Sequence, residues 1–219
     1  MAKLVWDESG DRLYETGVFS CALYPKDAAG AYPKGVAWNG VTKITESPSG
    51  AESNPQYADS IQYLDLRSPE KFGFTIEAFT FPDEWAACDG AVLNTDGVLI
   101  GQQPRSSFGL AYKTYLGNDV ENEGYGYKLH LVYDSKVAPS EKEYSTVNDS
   151  PEAMGMSWEA VATPVAITGY KPTAELVIDS TKADATKLAA LEKTLFGDDT
   201  TGIPNLPLPN AVLTALKKL

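Results

Sequence analysis

The sequence predicts a mainly β chain, an antiparallel β-sandwich or open barrel with one α-helix packed on it and long inter-strand loops. Apolar residues recur at every second position in segment after segment, as a half-buried strand requires. Only one stretch carries a full set of helix signals. Hydrophobic residues make up 43% and charged residues 22% of the 219, a balance that supports a real core and excludes a disordered chain.

The elements follow in order. Val36, Ala37 and Trp38, then Asn39-Gly40, then Val41 to Thr45, predict a β-hairpin, because Asn-Gly readily takes positive φ at both positions of a type I′ turn. Residues 57–66 are ambiguous between helix and strand, and a single strand joined to the next through residues 68–71 is favoured. Phe72, Phe74, Ile76 and Ala78 alternate with polar or small residues. Pro82 to Ala87 suit one helical turn. Phe108, Leu110, Tyr112 and Thr114 form the next stripe, and Tyr125, Tyr127, Leu129, Leu131 and Tyr133 the longest. Met154, Met156, Trp158, Ala160 and Ala162 follow, then Ala174, Leu176 and Ile178.

Thr181, with Asp184 three positions on, predicts a capped helix start. Leu188, Leu191 and Leu195 share one face of that helix, and Gly197 stands at its stop. Residues 210–218 predict a second, short helix. The chain is expected to form a single domain over residues 1–219. Residues 1–33 are an N-terminal segment, 34–180 the β core, 181–197 the helix and 198–219 a C-terminal tail.

Thirty acids oppose eighteen bases, giving a net charge of −12. The excess is spread along the chain and belongs to the surface. Such a balance does not hold DNA through phosphate neutralisation and offers no basic patch to anionic lipid. Cys21 and Cys88 lie among small or apolar neighbours and are expected as packed thiols in a reducing compartment. The opening residues turn acidic before any apolar stretch, so no secretion signal is expected, and no run is long enough for a membrane helix.

Signals for chemistry are sparse. His130 is the sole histidine and is expected as an ordinary strand-surface residue. One histidine and two scattered cysteines make a poor zinc set. No phosphate-binding loop occurs. Asp119, Glu121 and Glu123 before Gly124 have the spacing of a calcium loop's start, but its twelfth position falls on His130, so a solvated hairpin loop is expected. Asn148 heads a glycosylation sequon without a secretion signal to make use of it. Trp6, Trp38, Trp85 and Trp158 are stacking candidates for a sugar, Trp158 being the one in phase with a core stripe. Among thirty acids nothing marks a particular pair for glycoside hydrolysis.

Several segments together resemble the major tail tube proteins of long-tailed bacteriophages and prophages. They are KGVAWNGVT running into TESPSGAE (residues 34–52), FGFTIEAFTFPDEWAACDG (72–90), FGLAYKTYLGND (108–119) and GYGYKLHLVY (124–133). APSEKEYSTVNDSPEA (138–153), SWE (157–159), LAALEKTLFG (188–197) and LPLP (206–209) follow in the same order. The resemblance spans nearly the whole chain. It implies a β-sandwich with a helix, and hexameric rings that stack into a tube around a tape-measure protein. It also implies tail-terminator and distal tail proteins as partners, and a place in the virion tail after assembly in the host cytoplasm. DNA would pass through the lumen without specific binding, and neither cofactor, metal nor catalysis is implied. An acidic wall suits such a conduit, since it lets DNA slide.

Within that expectation, one segment is the candidate contact to an adjacent ring. It comprises Ser47, Pro48, Ser49, Gly50, Ala51, Glu52, Ser53, Asn54, Pro55 and Gln56, which carry two prolines, a glycine and no periodicity. The alternatives are a monomeric carbohydrate-binding β-sandwich, a hydrolase with an unmarked carboxylate pair, and the tube protein of a phage-like secretion system.

Overall fold

The alternation between residues 72 and 78 folds as one strand of a large antiparallel sheet, and the other predicted stripes, residues 57–66 excepted, fall in the same sheet. A computed structural model describes residues 4–94, 96–147, 149–150, 152–198 and 202–217. In chain order the elements are β1 (Tyr14–Pro25), β2 (Val36–Ala37), β3 (Val41–Glu46), β4 (Ser49–Gly50), β5 (Ser53–Ala58), β6 (Ile61–Arg67), β7 (Glu70–Ala78) and α1 (Trp85–Cys88). There follow β8 (Val92–Leu93), β9 (Leu99–Ile100), β10 (Phe108–Asn118), β11 (Asn122–Val137), β12 (Met156–Ala162), β13 (Glu175–Asp179), α2 (Ala185–Phe196) and α3 (Pro209–Leu216). The chain is mainly β, as its alternation requires.

The main sheet runs β2-β1-β10-β11-β12-β7-β3, with β13 paired to β11 and β4 to β7. β2 and β3 stand at opposite ends of this order, yet only Trp38, Asn39 and Gly40 separate them. The sheet therefore curls into a half-barrel. This corrects the expected hairpin: β2 pairs with β1 and β3 with β7. Gly40 alone takes positive φ (79°), so the turn is not type I′. Trp38 sets the corner instead. Its backbone N–H donates to Cys21 O at 2.9 Å and its indole Nε1 to Thr80 O at 2.8 Å, which seats the ring inside the curl.

Inside the curl, Leu23, Phe74, Ile76, Phe108, Leu110, Val132 and Trp158 form one buried cluster with Trp38 and Trp85. The ring centroids of Trp38 and Trp85 lie 4.5 Å apart, and those of Trp85 and Trp158 5.4 Å, at tilted or edge-on angles. Such aromatic pairs add about 0.5–1.5 kcal/mol each beyond their buried area. On the other face of β1, β10 and β11, Tyr24, Ala111, Leu129, Leu131 and Tyr133 pack against Leu188, Leu191 and Leu195 of α2 and Val212 of α3. These three strands are thus covered on both faces. β12, covered on one face, alternates buried and exposed without a break.

The caps of α2 differ from expectation at one end. Asp184, not Thr181, is the N-cap, its carboxylate accepting from Lys187 N at 3.1 Å. Thr181 instead donates N–H and hydroxyl to Asp179 Oδ1, closing the turn after β13. Gly197 ends the helix as predicted, at φ 79°. Both segments that flank residues 34–180 in the sequence pack into the fold. The N-terminal segment contains β1, a 12-residue strand of the main sheet paired with β2 and β10. The C-terminal tail is docked: Tyr133 OH donates to Pro207 O (3.1 Å), Leu206 N–H to Tyr32 O (3.2 Å), and Leu206 is buried. Lys218 of the predicted second helix and Asn148 of the sequon lie outside the described residues.

Candidate assembly surfaces

The segment expected as an aperiodic loop is partly strand. Ser47 leaves the sheet with its N–H on Gly73 O at 2.7 Å. After Pro48, Ser49 and Gly50 form β4 against Lys71 and Glu70. A Cβ on Gly50 would stand 2.5 Å from Pro69 O, so this close approach needs glycine. Ala51 (φ 54°) and Glu52 turn the chain outward. Ser53, Asn54, Pro55 and Gln56 then open β5, which pairs only with β6. Backbone pairing, not an apolar stripe, orders this stretch.

Residues 57–66 are likewise not one strand. Asp59 and Ser60 both take positive φ (51° and 64°), the geometry of a type I′ hairpin turn. The β5–β6 hairpin is a separate two-stranded sheet. Every residue of β6 is exposed. Its apolar side chains nonetheless gather on one face. Ile61, Leu64 and Leu66 pair with Ala58, Gln56 and Asn54, which share one side of β5, because a register shift between Gln56 and Tyr57 absorbs Tyr63 as the extra residue of a bulge. The partners of Leu64 and Leu66 across the hairpin are Gln56 and Asn54, which supply no apolar cover.

Two more apolar projections accompany it. The β8–β9 hairpin exposes Val92, Leu93, Leu99 and Ile100, and Val98 precedes its return strand. Leu4, Val5 and Trp6 are exposed before β1. An isolated two-stranded hairpin is marginal in water, and exposed apolar groups of this extent mark contact surfaces.

The sugar-platform candidates separate cleanly. Trp38, Trp85 and Trp158 are core, and Trp6 is exposed. The Asp119 segment is a hairpin loop: Asn118 Oδ1 accepts from Val120 and Glu121 N, while Asp119 accepts from Gly10 N. Both cysteines are free and buried. His130 departs from expectation. It is buried, because β10 and β13 flank β11 on either side and Glu46 of β3 reaches over it. Among the described residues, Glu46, His130 and Glu175 are the one grouping with metal-ligating spacing. No described helix is long and apolar enough to cross a membrane. Comparison with protein-family models and with curated protein sequences gives no match.

Proposed function

We propose that this chain is a structural subunit of a phage-type tail tube, self-assembling into hexameric rings that stack around a DNA conduit. The observation that carries the reading is the β5–β6 hairpin, which exposes Ile61, Leu64 and Leu66 on one face and stands clear of the core. A neighbouring copy is its natural partner, since a ring of identical subunits presents the same docking surface to each hairpin. Its free edges can join a neighbour's sheet by strand addition. The sequence resemblance supplies the tube, the tape-measure, tail-terminator and distal tail partners, and the virion location. The tube protein of a phage-like secretion system follows the same ring logic.

The sugar-binding alternative loses three of its four tryptophans to the core. The hydrolase alternative wants a carboxyl raised toward neutrality. Asp65 and Glu84 are displaced the opposite way, through hydrogen bonds from Ser53 and Lys34.

Negative-stain microscopy of the purified chain over a concentration series, with and without tail-tip seeds, tests the proposal. Rings or hollow tubes are expected. A variant with residues 53–67 replaced by a short glycine linker should keep its β spectrum and stay unassembled. Monomers under every seeded condition, or tubes from the linker variant, would overturn it.

A further inference from the structure

His130 has a ring whose two nitrogens both face acceptors. Its imidazole stacks on Tyr112, centroids 4.6 Å apart and planes 5° from parallel, as direct cross-strand partners on β11 and β10. Nε2 lies 3.2 Å from Thr114 Oγ1. The Thr114 hydroxyl hydrogen is already donated to Glu15 Oε1 at 2.5 Å, so Thr114 accepts from Nε2 and fixes the ring proton there. Nδ1 then presents a lone pair to two carboxylates, Glu175 Oε1 at 3.1 Å and Glu46 Oε1 at 3.6 Å. A lone pair against anionic oxygens is repulsive unless a positive charge stands between them.

The spacing suits a metal ion. Two ligands bound at about 2.1 Å to a tetrahedral ion stand about 3.4 Å apart, and the two observed separations bracket that value. All three ligand atoms lie within 4.8 Å of one another. Charge points the same way. Glu15, Glu46 and Glu175 surround the ring, and Lys128, paired with Glu15, is the cation beside them. A divalent ion balances the remainder, whereas one extra proton does not.

We propose that Glu46, His130 and Glu175 form a binding site for a borderline divalent cation of the Zn2+ class, its remaining position open to water. One imidazole and two carboxylates fit that class better than Ca2+, which takes six or more oxygens. The outer contacts are those that orient metal ligands. Tyr112 OH donates to Glu46 Oε1 at 2.8 Å, and Thr114 holds the far nitrogen of the imidazole. The Glu46 side chain is 40% exposed, which gives the ion a route in. Glu46 sits on β3 at one end of the curled sheet and His130 on β11 near its middle, so the ion ties the curl shut. The proposal stands apart from the tube reading, since the three ligands belong to one subunit.

Equilibrium dialysis of the tag-free full chain against Zn2+ near neutral pH, followed by metal analysis, tests it. The single histidine gives one pair of ring nitrogen resonances to follow in parallel. Expected are one Zn2+ per chain, a displaced Nδ1 resonance with the proton retained on Nε2, and a higher unfolding midpoint. Glu46→Gln and Glu175→Gln should each weaken binding at least about tenfold. Their circular dichroism should stay unchanged in chelator. Substoichiometric Zn2+ would overturn the site. So would Zn2+ retained in both variants with the ring resonances unmoved, or a ring protonated on both nitrogens under excess Zn2+.

Discussion

Leu64→Ser combined with Leu66→Ser separates a contact surface from a piece of core. Leu64 is 39% exposed and Leu66 56% in the single subunit. Full burial of a leucine is worth about 1.5–3 kcal/mol, so covering the exposed half of both is worth about 2 kcal/mol. That converts to about a 30-fold change in an association constant. If each added subunit buries one hairpin face, the critical concentration for assembly, read by sedimentation or light scattering, rises by that factor. The isolated subunit should respond less, because each exposed substitution stays within about 0.5 kcal/mol, about 1 kcal/mol for the pair. In a chain of this length that is at most about 4 °C in the unfolding midpoint. An unchanged critical concentration would refute the reasoning. A much larger fall in the midpoint would show that the hairpin belongs to the subunit's own core.

Trp158→Ala, at a fully buried ring, should cost about 3–5 kcal/mol. Calorimetry should then find the midpoint lower by about 6–20 °C. Burial pushes both thiols, Cys21 and Cys88, up to about 12, so neither should react with iodoacetamide near neutral pH until denaturant is added. Labelling of the native chain would contradict that packing. Burial would raise the Asp179 carboxyl, but bonds from Thr181 and Lys182 outweigh it and hold it below its ordinary 3.8. A depressed folded pKa stabilises the fold above the unfolded value and is lost as pH falls through the folded one. Asp179→Asn should therefore be less stable than the parent at neutral pH. The two should converge below 3.8 in denaturant titrations at stepped pH.

Legibility followed burial. β7 and β12 each offer one face to the core, so Phe74, Ile76 and Trp158 announced themselves by period. α2 was equally plain, because Leu188, Leu191 and Leu195 face one sheet. β1 was hidden for two reasons. Its run Cys21-Ala22-Leu23-Tyr24 is buried on both faces and has no alternation. Its earlier half is broken by register shifts around Phe19, with Gly17 and Ser20 at positive φ. The β5–β6 hairpin leaves little mark in the sequence, because Asp59-Ser60 lacks a glycine and neither strand has a buried face to set a period. The environment of His130 depends on Glu15, Glu46 and Glu175, which are far from it in sequence. Only the curl of the sheet brings them to one ring.

The tryptophans divide the chain's fluorescence into two populations. Trp38, Trp85 and Trp158 emit as a coupled, solvent-shielded group, and Trp6 emits from water at the other extreme of exposure. Acrylamide in solution reaches the second population and not the first. The quenchable fraction therefore reports the state of the N-terminal arm alone, with no label attached. If that arm is covered when subunits associate, the fraction falls while the shielded signal holds steady, giving an optical record of association that is separate from unfolding.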